Sequence, residues 1–336
     1  MKKITENTIL VTGIAGFIGF HVARKLLEEG HKVIGIDCVN DYYDVTLKEA
    51  RLKLLHDNHG DLLTFYKINI ENKEDVEKVW KSANPKITHV VHLAAQAGVR
   101  YSLVNPYSYI SSNVMGHLVL LEMARHQKDF EHFVYASSSS VYGSNEKMPF
   151  SESDPVNQPM ALYAATKRCD ELMSYSYSHL YGLPTTGLRF FTAYGPWGRP
   201  DQALFIFTKK ILAGDPIPVF NYGKMKRDFT YIDDIRDGVL AALRHIPKKT
   251  EKSLPQEVYN LGNSGVSTLT SYIQLIEENL GKKAILDLQP MQPGDIPAAA
   301  SDITKARKNL GFDPKINTET GVKNFIEWYK DYYKVD

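Results

Sequence analysis

Short apolar runs alternate with longer amphipathic segments along the first half of the chain. The apolar runs have the length and composition of buried strands, and the segments between them have the length of helices. Strands are predicted at Thr8 to Thr12, Lys32 to Asp37, Leu63 to Ile68, Thr88 to Leu93, His132 to Ala136 and Thr185 to Phe190. Helices are predicted up to about Glu29, and at Lys73 to Ser82, Tyr107 to Arg125 and Met160 to Tyr181. Repeated strand–helix units predict an α/β protein with a doubly wound parallel sheet and helices on both of its faces.

The second half of the chain is less regular, and Pro and Gly are frequent between Gly195 and Gly223. Its pattern predicts helices at Ala203 to Ala213, Asp233 to His245, Leu269 to Leu280, near Ile303 and at Val322 to Tyr332, with strands at Pro216 to Phe220 and Glu257 to Leu261. We therefore expect one domain at 1–190, with a later return segment near 228–262. A smaller lobe at 191–336 would supply a pocket over the sheet.

Three glycines follow the first predicted strand: Gly13, Gly16 and Gly19. A tight turn before a helix lets the backbone approach a pyrophosphate and directs free N–H groups at it. Asp37 ends the second strand, where a carboxylate can accept a bond from an adenosine ribose and would repel a 2′-phosphate. A Rossmann-type NAD site is therefore expected. Its further lining residues would be Phe17, Ile18, Asn69, Ile70, Leu93, Ala94, Ala95 and Gln96.

Candidate chemistry lies in a serine run, Ser137 to Ser140, and in Tyr163 and Lys167. Tyr163 and Lys167 are four positions apart, which places them one turn apart on one helix face. A free tyrosine has a pKa of about 10, and a nearby ammonium group favours its phenolate. A tyrosine and a lysine at this spacing more often have no catalytic role, with the tyrosine half-buried and the lysine at the surface. Here, however, the serines end a predicted strand beside the expected cofactor site. Together these groups would form a proton relay for an alcohol or sugar hydroxyl.

Composition narrows the class of protein further. The chain has 336 residues, 24% of them charged, and a formal net charge of +1, so nothing favours nucleic acid or a membrane surface as a partner. Cys38 and Cys169 are too few and too far apart for a disulfide framework or a metal site, and no metal is expected. No signal peptide or membrane-spanning run is recognisable, so a cytoplasmic location is expected. His89 and His92 alternate with valines and are interpreted as packed.

The motifs together resemble the extended short-chain dehydrogenase/reductase family over the whole chain. They are the glycine turn, Asp37, Ser138, the Tyr163 and Lys167 pair, and Arg189-Phe190-Phe191. Within it, the chain is similar to the bacterial UDP-glucuronate 4-epimerases at Asn40 to Asp44, Ala94 to Ser102, Ser137 to Gly143, Arg189 to Pro200 and Asn221 to Tyr231. The resemblance implies reversible C4 epimerisation of UDP-glucuronate to UDP-galacturonate, through a 4-keto intermediate and with tightly held NAD. It also implies a role in polysaccharide biosynthesis.

The resemblance also implies roles for individual residues. Tyr163, aided by Lys167, would take the proton of the sugar 4-hydroxyl, which Ser138 would hold. UDP would be anchored by three residues: Arg227 at the diphosphate, Asp295 at the uridine ribose and Arg199 at the nucleotide. Arg100 could pair with the substrate carboxylate or with a cofactor phosphate, and both remain open. Long helices at Tyr107 to Arg125 and Met160 to Tyr181 could form a four-helix bundle between the subunits of a homodimer.

A 4-keto uronic acid is a β-keto acid that loses CO₂ readily, so an epimerase must hold its carboxylate. Ser139, Ser140 and Thr192 are the candidate neutral donors. Related decarboxylases and dehydratases usually carry an acid at the position of Ser140, and its absence favours epimerisation. The alternatives are a UDP-glucose or UDP-N-acetylhexosamine 4-epimerase, a UDP-glucuronate decarboxylase or dehydratase, and a non-catalytic NAD-binding protein. An intact serine, tyrosine and lysine set argues against the last.

Overall fold

A seven-stranded parallel sheet forms the centre of the computed structural model, which describes residues 8–335. The strands are β1 Thr8–Thr12, β2 Lys32–Asp37, β3 Leu63–Lys67, β4 Ile87–His92, β5 His132–Ser138, β6 Thr185–Phe190, β7 Thr192–Tyr194, β8 Ile217–Val219, β9 Lys226–Arg227, β10 Phe229–Tyr231, β11 Gln256–Leu261, β12 Ser267–Thr268 and β13 Leu286–Leu288. The central sheet has the order β11-β6-β5-β4-β1-β2-β3. The predicted parallel α/β sheet is thus confirmed.

The helices are α1 Phe17–Glu28, α2 Val45–His59, α3 Lys73–Ser82, α4 Tyr101–Val104, α5 Pro106–Tyr109, α6 Gly116–Arg125, α7 Leu162–Tyr181, α8 Ala203–Ala213, α9 Ile232–Arg244, α10 Leu269–Leu280, α11 Thr304–Leu310 and α12 Thr318–Tyr333. A π-helical turn at Ile110–Met115 joins α5 to α6, and 3₁₀ turns form at Ser139–Tyr142 and Phe220–Gly223. The remaining short strands pair as β10 with β7, β12 with β9 and β13 with β8.

Alternate residues of β1 enter two different hydrophobic cores. Ile9 and Val11 face the core that contains α1 and α9, while Leu10 faces the core that contains α3 and α6. Both sides of a parallel sheet are buried in this way because its crossover helices cover both faces. Full burial of one such side chain contributes about 1.5–3 kcal/mol.

The strand order changes direction between β1 and β4. The connections from β1 and β4 therefore leave on opposite sides, and a crevice opens outside their carboxyl ends. This is where open α/β sheets bind their ligands. The turn at Gly13 and the segment after His92 meet at this crevice.

Three helices differ from the sequence-based expectation, and one of them is the short α4, which was not predicted. The predicted helix at Tyr107 to Arg125 is divided by the π-helical turn, a feature found frequently at functional sites. Helix α2 was not predicted, because two of its four buried positions are the charged residues Lys48 and Arg51. Charged residues at core positions hide the apolar period that identifies a helix.

Two structural features are absent from residues 8–335. None of the helices there has the length and apolar composition needed to cross a membrane. The same residues contain no cluster of three or more histidine, cysteine, aspartate or glutamate side chains that could hold a metal ion.

Candidate active site

One cleft of about 860 Å³ collects the candidate residues from both halves of the chain. It opens at the carboxyl ends of the central strands. Its lining includes Gly13, Gly16, Phe17, Ile18, Gly19, Asp37, Asn69, Ile70, Leu93, Ala94, Ala95, Gln96, Arg100, Ser138, Ser139, Ser140, Tyr163, Lys167, Thr192, Arg199, Arg227 and Asp295. The fold therefore brings every candidate residue to a single site, from segments as far apart as the first strand and the loop before α11.

The glycine turn packs so closely against neighbouring backbone that side chains would not fit in it. A Cβ at Gly13 would lie 2.7 Å from the backbone nitrogen of Ala94, and a Cβ at Gly19 would lie 2.0 Å from the carbonyl oxygen of Gly13. Gly13 also has a φ of +72°, which favours glycine. Helix α1 begins after Gly16 with no side chain capping its N–H groups, so these remain available to an anion.

Asp37 connects the end of β2 to the glycine turn. Its carboxylate accepts hydrogen bonds from the backbone N–H groups of Ala15, at 3.0 Å, and Val39, at 2.8 Å. Burial raises the pKa of this carboxyl, although the two N–H donors and Lys48 oppose the change. A rigid glycine cradle, an uncapped helix and a carboxylate at the strand end together fit a dinucleotide with a free ribose hydroxyl.

Asn113 holds the segment that follows β4 against α7. Its side-chain oxygen accepts a bond from the N–H of Gln96 at 2.8 Å, and its amide nitrogen donates to the carbonyl of Gln96 at 3.1 Å. The same nitrogen donates to Thr166 Oγ1 at 3.0 Å. The π-helical turn places Asn113 there, and sequence reasoning missed this residue. The sequence offers little signal for it, because Ser111 and Ser112 directly precede it in the predicted helix.

The serine run ends β5 at the floor of the cleft. Ser138 Oγ accepts hydrogen bonds from the N–H of Ser140 at 3.2 Å and from its hydroxyl at 2.9 Å, so it caps the 3₁₀ turn. Ser139 and Ser140 are half-buried beside it. Thr192 begins β7, and its N–H donates to the carbonyl of Asp228 at 3.1 Å. Neutral hydroxyls thus surround one end of the cleft.

Tyr163 and Lys167 occupy the first turns of α7 and line the cleft. Lys167 Nζ contacts Asp170 Oδ2 at 2.9 Å, in an ion pair that is almost completely buried. Burial raises the pKa of Asp170 to about 6, although Lys167 opposes that rise. Asp170 does not line the cleft, and sequence reasoning did not identify it.

Glu171 is the centre of a second buried network that sequence reasoning missed. Its carboxylate accepts hydrogen bonds from Ser137 Oγ at 2.6 Å, from Arg189 Nε at 2.8 Å and from Arg168 Nη1 at 2.8 Å. Burial opposes ionisation, but Arg189 and the other donors hold the pKa of Glu171 below its usual range. Arg189 also donates to the Tyr142 hydroxyl at 3.0 Å. The network fixes the strand of the serine run relative to α7.

Two groups of charges lie at the mouth of the cleft. Arg199 forms a two-point pair with Asp201, which also accepts a bond from the Tyr42 hydroxyl at 3.2 Å. Asp295 lies between Arg227, at 3.4 Å, and Arg100, at 3.7 Å. The guanidinium of Arg100 also lies 4.5 Å from the ring centre of Phe220. Arg100 therefore groups with Asp295 and Arg227.

A parallel Rossmann-type sheet, a glycine cradle with Asp37, and a serine, tyrosine and lysine set in the same cleft define an NAD-dependent enzyme of the extended short-chain dehydrogenase/reductase class. Comparison with known proteins makes the assignment narrower. The chain belongs to the NAD dependent epimerase/dehydratase family, whose sequence profile matches residues 9–262.

Individual relatives cover nearly the whole chain. It is 47% identical to UDP-glucuronate 4-epimerase 4 of Arabidopsis thaliana, over 100% of this chain and 78% of that protein. The crystal structure of UDP-glucuronic acid 4-epimerase from Bacillus cereus in complex with UDP-glucuronic acid and NAD is 34% identical. It has a TM-score of 0.88 over 97% of this chain and 100% of that one. A UDP-glucose 4-epimerase from Thermotoga maritima is 31% identical, with a TM-score of 0.83 over 97% and 99% of the two chains.

Proposed function

We propose that the protein catalyses the reversible C4 epimerisation of UDP-glucuronate to UDP-galacturonate with tightly held NAD. The single observation that carries the proposal is the set of neutral hydroxyls around Ser138. The acidic residues lining the described part of the cleft are Asp37, Glu71, Asp201 and Asp295, and none of them belongs to the serine run. The similarity to UDP-glucuronate 4-epimerases over almost the whole chain supports the same conclusion.

Tyr163 is the catalytic base of the proposed reaction. It takes the proton from the sugar 4-hydroxyl, while Ser138 accepts or donates the bond that holds this oxygen in place. Lys167 lies one turn further along α7 and favours the phenolate form of the base by its positive charge. NAD held at the glycine turn and Asp37 would supply a hydride acceptor for C4 and then a hydride donor to its opposite face, so no net oxidation would occur. Tyr163 gives its proton back when the hydride returns.

The substrate carboxylate must be restrained while C4 is a ketone. Decarboxylation requires the bond to the carboxylate to align with the π-system of the neighbouring ketone. Ser139, Ser140 and Thr192 can hold the carboxylate out of that alignment with neutral hydrogen bonds. A carboxylate side chain in their place would repel the substrate. Because Ser140 also donates to Ser138 Oγ, it would orient the catalytic serine as well.

Rotation of the 4-keto sugar requires that UDP be anchored while the sugar is held loosely. Arg227 and Arg199 are placed at the mouth of the cleft, where their planar groups can bind a diphosphate at two points. Asp295 would accept a hydrogen bond from the uridine ribose after exchanging its contact with Arg227. The position of Arg100 beside Asp295 and Phe220 supports a role at the nucleotide, rather than at the sugar carboxylate.

The test is incubation of the purified protein with UDP-glucuronate and no added NAD, followed by NMR. Formation of UDP-galacturonate is expected, which would require both epimerisation and copurified cofactor. A UDP-pentose with CO₂ would instead identify a decarboxylase. Absence of any reaction, even with added NAD, would overturn the uronic acid proposal and make UDP-glucose and UDP-N-acetylhexosamines the next substrates to test.

Thr192→Ala and Ser139→Ala are each expected to increase the proportion of UDP-pentose several-fold among the products of UDP-glucuronate. Each loses one hydroxyl that restrains the carboxylate, so more of the 4-keto intermediate reaches the geometry for loss of CO₂. NMR of the product mixture measures the ratio. The control is Ser144→Ala, because Ser144 is exposed and its hydroxyl bonds to Gln158. An unchanged ratio in both test variants would remove these hydroxyls from carboxylate control.

We further propose a homodimer that buries α5, the π-helical turn and α7. Exposed apolar side chains on these segments support it, namely Tyr107 at 82%, Ile110 at 48%, Met115 at 48% and Leu172 at 52% exposure. Leu172→Asp is expected to convert the dimer to monomers, because it would bury a charge in an apolar interface. Light scattering after size-exclusion chromatography measures the mass. Leu288→Asp, at another exposed apolar position, should leave the mass unchanged.

Three broader features complete the proposal. A cytoplasmic location is supported by the two free thiols, Cys38 and Cys169, because a reducing compartment keeps thiols unpaired. The proposed product, an activated uronic acid, supports a role in polysaccharide biosynthesis. The division at residue 190 into a cofactor domain and a UDP-sugar-binding lobe, with residues 228–262 returning to the first domain, is also proposed. The pairing of β11 with β6 supports that return.

A further inference from the structure

Lys167 and Asp170 form an ion pair beneath the cleft. Their side chains are 2% and 0% exposed, and the charged atoms lie 2.9 Å apart. They are three positions apart on α7, so they share one face of that helix. Asp170 therefore lies directly behind Lys167, the lysine that the proposed reaction requires, and both side chains are shielded from bulk water.

Stability alone gives a weak reason for a buried pair at this position. Removing two charges from water costs about as much as their attraction returns, unless further hydrogen bonds satisfy them. Asp170 Oδ1 has no hydrogen-bond partner among the described residues, so this carboxylate is only half satisfied. A carboxylate that is buried at a cost and touches Lys167 is better explained by its effect on that lysine.

The surrounding groups leave Asp170 as the charge partner of Lys167. His92 on β4 and His117 on α6 face the pair, and burial lowers the pKa of His92 to about 3 and that of His117 well below its usual value. Both imidazoles are therefore neutral at working pH. Tyr135 on β5 also faces Asp170, and burial raises its pKa, so it is neutral too. Glu171, the next residue, is neutralised by Arg189 and Arg168.

We propose that Asp170 is a positioning residue for the reaction at Tyr163. Its carboxylate holds the Lys167 ammonium in place and cancels part of its positive charge at the tyrosine, and thereby sets the pH above which Tyr163 acts as a base. This inference rests on the proposed epimerisation and extends it to a residue outside the cleft. Asp170 acts through Lys167 and has no contact with the substrate.

Asp170→Asn is the informative change because it keeps the shape of the side chain and removes its charge. Tyr163 and Asp170 are seven positions apart on α7, which corresponds to a rise of about 10 Å along the helix axis. At an effective dielectric constant of about 20, a unit charge at that distance shifts a titration by about one pH unit. Burial raises the pKa of Asp170 to about 6, so the carboxylate carries its negative charge at neutral pH.

The experiment measures kcat/KM for UDP-glucuronate against pH in the NAD-loaded wild type and in Asp170→Asn. The acid limb of this profile reports the essential base of the free enzyme. With the negative charge removed, the full charge of Lys167 favours the phenolate. The acid limb of Asp170→Asn is therefore expected to move by about one unit to lower pH, while Asp170→Glu keeps the wild-type limb. Asp331→Asn, which removes an exposed carboxylate three positions from Lys334, is the matched control and should not move it.

A uniform fall in kcat/KM with the limb unmoved would show a merely structural role and overturn the inference, as would a shift to higher pH. If Asp170→Asn does not fold, Asp170→Ser provides a second neutral side chain with the same expected direction. Failure of the proposed function is distinguishable, because it would appear in the wild type as absence of epimerisation. In that case, ultraviolet titration of the Tyr163 phenolate, by difference from Tyr163→Phe, tests Asp170 without any turnover. The same downward shift is expected there.

Discussion

Tyr163→Phe is expected to reduce epimerisation by about 10²–10⁴-fold while the protein retains its bound NAD. The substitution removes only the hydroxyl that transfers the substrate proton, and general base catalysis contributes a factor of about this size. The glycine cradle and Asp37 are untouched, so cofactor retention should remain. Turnover is followed by NMR, and bound NAD is quantified in the supernatant of the denatured protein.

The control for this change is Tyr181→Phe, at the exposed end of the same helix, which should retain wild-type turnover. Two results would contradict the proposed role. Substantial turnover by Tyr163→Phe would mean that another group takes the proton. Loss of NAD together with loss of turnover would mean that Tyr163 serves chiefly to bind the cofactor.

Arg189→Met is expected to lower the free energy of unfolding by about 3–5 kcal/mol. It removes the main partner of Glu171, and this buried carboxylate then relies on the partly exposed Arg168 for its ion pair. Urea denaturation followed by fluorescence measures the change. The control is Arg244→Met, because the pair of Arg244 with Glu29 is partly exposed and should contribute about 1 kcal/mol or less. A loss for Arg189→Met no larger than this would contradict the assigned network.

The pH dependence of this network has a definite sign. Because the pKa of Glu171 is lowered in the folded protein, its contribution to stability is present above the ordinary glutamate value of about 4.3. That contribution is lost as the pH falls through the lowered pKa. The difference in stability between wild type and Arg189→Met should therefore be full at neutral pH and shrink in acid. Adding Glu171→Gln to Arg189→Met should recover part of the lost stability, since the buried group that lost its main partner is then neutral.

Local chemistry explains which parts of the site could be predicted. The turn at Gly13 to Gly19 is recognisable because only glycine tolerates its contacts, and these contacts lie between a strand and a helix that are adjacent in sequence. Tyr163 and Lys167 are recognisable because one helix sets their spacing. Continuous apolar runs rich in β-branched residues likewise identify the central strands, since both faces of this sheet are buried.

Partners across the fold could not be predicted in the same way. Asn113 is significant only because a π-helical turn directs it at Gln96 and Thr166. Asp170 and Glu171 are adjacent acids on one helix and look like ordinary solvated residues in sequence. Helix spacing places Asp170 beside Lys167, whereas the packing of α7 against the sheet buries that pair and brings Glu171 to Arg189 on β6.

The sequence by itself determined the α/β class, the succession of the central strands along the chain, the NAD cradle and the serine, tyrosine and lysine set, because each depends on residues close together along the chain. Tertiary structure alone decided which charges become buried partners, where Arg100 lies, and how strands as short as β7 and β10 pair. These depend on contacts between distant segments, and such contacts form only where packing excludes water. Burial then makes the charge of one carboxylate, such as that of Asp170, strong enough to influence a base two turns away.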